Sequence, residues 1–112
     1  MKLSHCFNQN IDSAFVNLSG SNLTKSKLIK ANLIRIKLNG ANLTEVNLTN
    51  TNLYAADLSE ANLTNAKLLT ANLIYADLTK ANLLVTKLSK SKLTNANLSA
   101  ANFSNSEMID VT

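Results

Sequence analysis

The side chains that could act as nucleophiles, bases or metal ligands are few. The one histidine, His5, stands beside the one cysteine, Cys6, and the chain has only two glycines. A protein metal site needs three or four ligands at workable spacing, and a Cys–His nucleophile pair needs an orienting group. A glycine-rich phosphate loop is absent from the sequence. The sequence therefore predicts a protein that is not an enzyme, with no catalytic residue, metal site or cofactor.

The cysteine count and the distribution of apolar residues bear on the compartment. One cysteine forms no internal disulfide, which favours a reducing environment. Polar residues interrupt positions 3–15, so this stretch lacks the apolar centre of a signal peptide. No run approaches the roughly 20 apolar residues that span a bilayer. We expect a soluble, cytoplasmic protein without membrane association.

A five-residue period organises the chain. Leucine recurs at every fifth position from Leu18 to Leu98, and Phe103 and Met108 continue the series. On an α-helix five residues advance by about 140° net, and on a straight strand successive leucines would alternate between faces. Neither element gives one buried stripe, whereas a chain that turns the same way after every five residues does. The leucines then point inward and form columns through stacked coils.

A second period of ten residues concerns the position before each leucine. Asparagine holds every tenth such position from Asn22 to Asn82, and Lys, Asn or Asp fills the places between. A ten-residue unit stacks like on like only if the coil has an even number of sides. Four sides of five residues, giving a coil of twenty, is the natural solution.

Individual repeats carry a family resemblance. Residues 41–45 read ANLTE, residues 61–65 read ANLTN and residues 76–80 read ADLTK. These resemble the pentapeptide-repeat family, whose consensus is a small residue, Asn or Asp, Leu or Phe, and two variable positions. The resemblance covers about residues 16–110. It implies an all-β fold, a right-handed four-sided β-helix of nearly five coils, and a binding or structural module of unspecified role. The family is abundant in cyanobacteria, which favours a bacterial source.

The resemblance also offers an alternative function. Some family members look like duplex DNA in width and charge, and they protect or inhibit DNA gyrase. That imitation needs a strongly acidic surface, whereas this chain has 11 Lys and Arg against 7 Asp and Glu, a net charge of +4. The basic charge disfavours a gyrase regulator.

The two ends are expected to differ from the middle. Residues 1–15 leave the repeat and predict an N-terminal cap in which Phe7, Ile11 and Phe15 cover the first coil. Residues 16–112 predict the β-helix itself. The last coil carries uncovered apolar residues, and solenoid ends need caps, so we expect self-association through this coil, against the alternative of a monomer that tolerates a frayed end. Its residues are Phe103, Met108, Ile109 and Val111.

Residues twenty apart should stack, which sorts the variable positions into surfaces. One surface is apolar and is a candidate contact for a partner protein or a second copy, against ordinary scattered apolar residues; we call it the lateral patch. It comprises Ile34, Arg35, Tyr54, Ile74 and Tyr75.

Lysines define a second surface, the basic face, which would be either a solvated face or a weak nucleic-acid site. Arginine is nearly absent and aromatic residues do not interleave with the lysines, so nucleic acid is not expected as a partner. The basic face comprises Lys27, Lys30, Lys67, Lys87 and Lys90. The stacked asparagines predict an amide ladder along the coil, rather than a ligand-binding strip.

Overall fold

The structure is a computed structural model that describes residues 13–112. Its regular element is a short 3-10 helix, Ser13–Phe15, and the pentapeptides that follow share one backbone conformation. In each, the residue before the leucine pairs with neighbouring coils, and the two residues after the leucine form a turn. The chain therefore consists of single paired residues separated by corners rather than of long strands.

Each corner is a tight turn closed by the leucine carbonyl. The N–H of the residue three positions later donates to it, as Ala31 N does to Leu28 O at 3.1 Å and Ala66 N does to Leu63 O at 2.9 Å. The second residue after the leucine has a φ of +55 to +62° wherever it is not glycine. Positive φ at this position is the mark of a type II turn. Valine tolerates it least, because its branched Cβ crowds the backbone, yet Val85 adopts a φ of +59°.

Adjacent coils are joined at a constant register. Every parallel bridge connects residues twenty apart, for example Asn42 with Asn62. Further backbone hydrogen bonds reinforce each bridge: Leu43 N donates to Asn62 O at 2.7 Å, and Glu45 N donates to Thr64 O at 2.9 Å. Most backbone N–H groups of a pentapeptide therefore bond either to its own turn or to a neighbouring coil.

The core is a set of leucine columns bordered by alanines. The leucines of the five-residue series from Leu28 to Leu88 are at most 2% exposed, and alanines such as Ala66 and Ala71 are fully buried beside them. This confirms the prediction that the leucines point inward. The position two before each leucine is buried as well, and it accepts β-branched residues, since Ile36 and Val46 are fully buried there. Leu18 and Leu98, in the outer coils, are only partly buried. Two polar residues in the small position, Ser26 and Ser91, bury hydroxyls that have no hydrogen-bond partner.

Residues 13–16 contact the first coil differently from the prediction. Ser13 is buried, and its hydroxyl donates to Ile34 O at 2.6 Å, while Val16 N donates to Ser13 O at 2.9 Å. Phe15 is 88% exposed, so its predicted role as an apolar cap contact is wrong. The other predicted cap residues, Phe7 and Ile11, lie outside the described residues.

Candidate functional site

The asparagines before the leucines bond to their own turn. Asn62 Oδ1 accepts hydrogen bonds from the backbone N–H of Thr64 at 3.1 Å and from its hydroxyl at 2.6 Å. In the same way, Asp77 Oδ1 accepts hydrogen bonds from the Thr79 N–H at 2.9 Å and from the Thr79 hydroxyl at 2.5 Å. This is the side-chain-to-backbone contact that Asn and Asp favour in turns. It satisfies the N–H that no coil neighbour reaches.

The predicted amide ladder is therefore wrong as a general description. One amide-to-amide bond joins stacked asparagines in the described chain, from Asn72 Nδ2 to Asn52 Oδ1 at 3.3 Å. The contact within the turn is favoured over a bond to the next coil, because the donor N–H is only two residues away from the asparagine in every repeat. Lysine has no acceptor atom and cannot replace it. The asparagines are architecture, so a binding surface must lie at the other variable positions.

The lateral patch is brought together as predicted. Ile34, Tyr54 and Ile74 stand in three successive coils, each half-buried at the first position of a corner. Arg35 and Tyr75 occupy the second corner position, where both are exposed, Tyr75 to 55%.

The two tyrosine rings of the patch touch each other. Their centroids lie 5.6 Å apart and their planes meet at 72°, an edge-to-face contact that favours a fixed ring position. Ala55 lies between Arg35 and Tyr75 in their stack and, unlike them, is half-buried. The result is an apolar ridge with an exposed aromatic ring near one end and a cation near the other.

The basic face is only partly continuous. Bridges place Lys27, Lys67 and Lys87 in one stack, but Asn47 separates the first two, and the stack continues to Glu107. All three lysines are exposed. Lys30 and Lys90 lie at the corner that follows, three coils apart and with uncharged residues between them. The structure therefore brings together two adjacent lysines, Lys67 and Lys87, rather than a five-lysine cluster.

Carboxylates gather on another side of the coil. Bridges stack Lys37, Asp57 and Asp77 in consecutive coils. Both aspartates are half-buried, and each uses one carboxylate oxygen to accept hydrogen bonds from its own turn. Within residues 13–112 no three His, Cys, Asp or Glu side chains are grouped so that they could hold a metal ion. The same residues include no helix long and apolar enough to cross a membrane.

The last coil shows the exposure predicted for it in part. Met108 is 42% exposed and Ile109 is 70% exposed, whereas Phe103 and Val111 pack against the core and are partly buried. Self-association through this coil stays a prediction.

Sequence reasoning missed a second apolar corner. Leu84 is half-buried and Val85 is 44% exposed, and they occupy the two corner positions on the side opposite to the lateral patch. The signal was present, because the same corner positions hold Thr or polar residues in the neighbouring coils, as at Thr64 and Asn65. This corner has no aromatic ring and spans one coil, which makes it a matched control for the lateral patch.

Comparison with known proteins identifies the repeat. The chain matches the family model described as pentapeptide repeats, in eight copies, over residues 15–53, 51–83, 66–105 and 86–111. No curated protein sequence matches it. A solved structure of a pentapeptide repeat protein from the cyanobacterium Cyanothece 51142 is 35% identical, with a TM-score of 0.60 over 86% of this chain and 63% of that one.

A plant structure is also similar. The pentapeptide repeat protein of the Arabidopsis thaliana thylakoid lumen is 27% identical, with a TM-score of 0.62, over 85% of this chain and 63% of that one. The chain thus spans about 63% of the length of these two solved relatives. With them it shares a right-handed β-helix.

Proposed function

The chain belongs to the pentapeptide repeat family, and from that premise we propose that it is a non-enzymatic, rigid module that binds a protein partner through the lateral patch. The observation that carries this proposal is the tyrosine pair. Tyr54 and Tyr75 hold each other edge to face at 5.6 Å, and Tyr75 still offers more than half of its surface to solvent. Tyrosine is enriched at the centres of protein interfaces, because it offers a large contact area with few rotatable bonds.

Rigidity supports the same proposal. The module is a four-sided right-handed β-helix of nearly five coils, an inference supported by bridges that join residues twenty apart across four leucines. Backbone hydrogen bonds between coils hold the corner positions, as between Arg35 N and Tyr54 O at 2.9 Å and between Ala55 N and Ile74 O at 2.9 Å. A patch on such corners pays little entropy on binding, because its backbone is already ordered.

Charge favours a protein partner over the two alternatives. A gyrase regulator that imitates DNA would need an acidic exterior, and this chain carries a net charge of +4. A nucleic-acid site would need a continuous cationic stack, and Asn47 interrupts the basic face between Lys27 and Lys67. We place the module in the cytoplasm of a bacterial cell, on the grounds of its single cysteine and its family resemblance.

The test is affinity capture with matched variants. The chain would be immobilised as the wild type, as Tyr54→Ser with Tyr75→Ser, and as the control Leu84→Ser with Val85→Ser, and each exposed to a bacterial extract. We expect proteins retained by the wild type and by the control to be lost from the tyrosine variant. Equal retention on the wild type and the tyrosine variant, with matching thermal unfolding, would overturn the proposal.

A further inference from the structure

The lateral patch complements itself. Resting on the proposed role of this patch as a protein contact, we propose that it docks a second copy of this chain, antiparallel, about a two-fold axis that passes at Tyr54. Each copy then presents the same surface to the other, as a closed symmetric dimer requires. Three observations support this arrangement. They are the order of residues in the apolar stack of Ile34, Tyr54 and Ile74, the positions of Arg35 and Tyr75 in the neighbouring stack, and the small Ala55 between those two.

The apolar stack reads the same in both directions along the coil axis. Ile34, Tyr54 and Ile74 occupy equivalent corner positions of successive coils, about 4.8 Å apart. Turning a second copy end over end at the level of Tyr54 places Ile34 opposite Ile74 of that copy, twice, and the two Tyr54 rings at the axis. Apolar groups therefore meet apolar groups along the whole contact.

The neighbouring stack, formed by the second corner positions, carries a cation at one end and an aromatic ring at the other. Arg35 lies one coil before Ala55, and Tyr75 lies one coil after it. The same rotation sets Arg35 of each copy against Tyr75 of the other, which gives two cation–π contacts per dimer. Tyr75 is suited to this role because its exposed ring is already oriented by the edge-to-face contact with Tyr54. Ala55 falls at the axis, where a methyl side chain allows two rigid corners to approach.

Other pairings of the same surface lose these contacts. In a parallel pairing the two Arg35 side chains face each other, so that like charges meet. The two Tyr75 rings then face each other and neither contacts a cation. A shift by one coil sets Arg35 against Ala55 and leaves Tyr75 without a cation. The antiparallel register at Tyr54 is thus the one in which both apolar and charged groups find partners.

Cysteine pairs test the register directly, in a Cys6→Ser background that removes the natural thiol. Ile34→Cys and Ile74→Cys chains would be purified separately, mixed and oxidised. Because residues 34 and 74 lie two coils apart, about 10 Å, a disulfide between the two different chains requires the antiparallel arrangement. The matched control mixes Thr44→Cys with Leu84→Cys, which occupy the same corner position, also two coils apart, on the opposite side.

We expect the 34–74 mixture to give mainly the mixed disulfide and to outpace the 44–84 mixture by at least tenfold. Sedimentation equilibrium of the wild-type chain should show a monomer–dimer equilibrium. Arg35→Ala, which removes two symmetric cation–π contacts, should weaken the dimer roughly tenfold. Circular dichroism melting of each variant confirms that its coil is intact.

Three results would overturn the dimer: a wild-type monomer at every concentration, Ile34→Cys chains that couple mainly with themselves, or equal rates in the 34–74 and 44–84 mixtures. The first of these leaves the proposed function standing if protein capture still depends on the two tyrosines. Conversely, if capture ignores the tyrosines while the mixed disulfide forms, the dimer stands and a separate protein partner on this patch is refuted.

Discussion

Replacing Asn62 with alanine removes one oxygen that holds two groups of the following turn. Asn62 Oδ1 accepts from the Thr64 N–H at 3.1 Å and from the Thr64 hydroxyl at 2.6 Å. Asn62 is exposed, so water replaces part of what is lost. A net hydrogen bond contributes about 0.5–1.5 kcal/mol, and the loss of a comparable helix cap costs about 1 kcal/mol. We expect Asn62→Ala to lower the free energy of unfolding by about 1–1.5 kcal/mol.

The matched variant is Asn62→Asp, which keeps the acceptor oxygen and removes the amide donor. Asp57 and Asp77 already hold their turns in this way, with the N–H of Ser59 and Thr79 at 3.0 and 2.9 Å. We therefore expect Asn62→Asp to remain within about 0.5 kcal/mol of the wild type at neutral pH, as ordinary surface substitutions do.

Urea unfolding followed by circular dichroism measures both variants, and thermal unfolding should show a fall of about 4 °C or more for Asn62→Ala. An amide ladder would make the opposite prediction, because aspartate lacks the donor that passes the bond to the next coil. If Asn62→Asp proves as destabilising as Asn62→Ala, the explanation from local turn bonding is refuted.

Two further predictions concern the core. Leu63 is fully buried in a central coil, and Leu63→Ala should lower the free energy of unfolding in urea by about 2–5 kcal/mol. Leu98 is partly buried in an outer coil, so Leu98→Ala should lower it by about half as much. Equal losses would contradict the dependence on neighbouring coils. Ser91→Ala should stabilise the chain by about 1 kcal/mol, because the buried Ser91 hydroxyl has no hydrogen-bond partner. The control Ser21→Ala should not stabilise it, because the Ser21 hydroxyl donates to Leu18 O at 2.7 Å. A loss of stability in Ser91→Ala would indicate a hydrogen bond that the structure lacks.

Much of the architecture could be predicted because the repeat constrains every residue in the same way. The leucine spacing excludes an α-helix and a straight strand, and the buried column from Leu28 to Leu88 follows from it. Residues of the lateral patch could be grouped for the same reason, since a twenty-residue coil fixes which corners stack. Tyr54 and Ile74 were expected in one stack, and they stand there.

The errors fall where several local contacts compete. Phe15 is predicted to cover the first coil as an apolar side chain, but it is the last residue of the 3-10 helix, where its ring is exposed while Ser13 at the start of the helix is buried and reaches a carbonyl. The asparagines could bond upward to the next coil or forward to their own turn, and periodicity does not distinguish these. The spacing Asn-Leu-Thr or Asn-Leu-Ser was the available signal, because Asn favours the backbone N–H two residues on.

The sequence by itself determined the period, the inward leucines and the buried position two residues before them, because only a chain that turns the same way after every five residues buries the same two positions of every repeat. It also supplied the excess of positive charge that disfavours imitation of DNA. The tertiary structure alone decided the partner of each asparagine oxygen, the exposure of Tyr75 and its edge contact with Tyr54. Those depend on side-chain conformations and on contacts with neighbouring side chains, which the spacing of residue types does not encode.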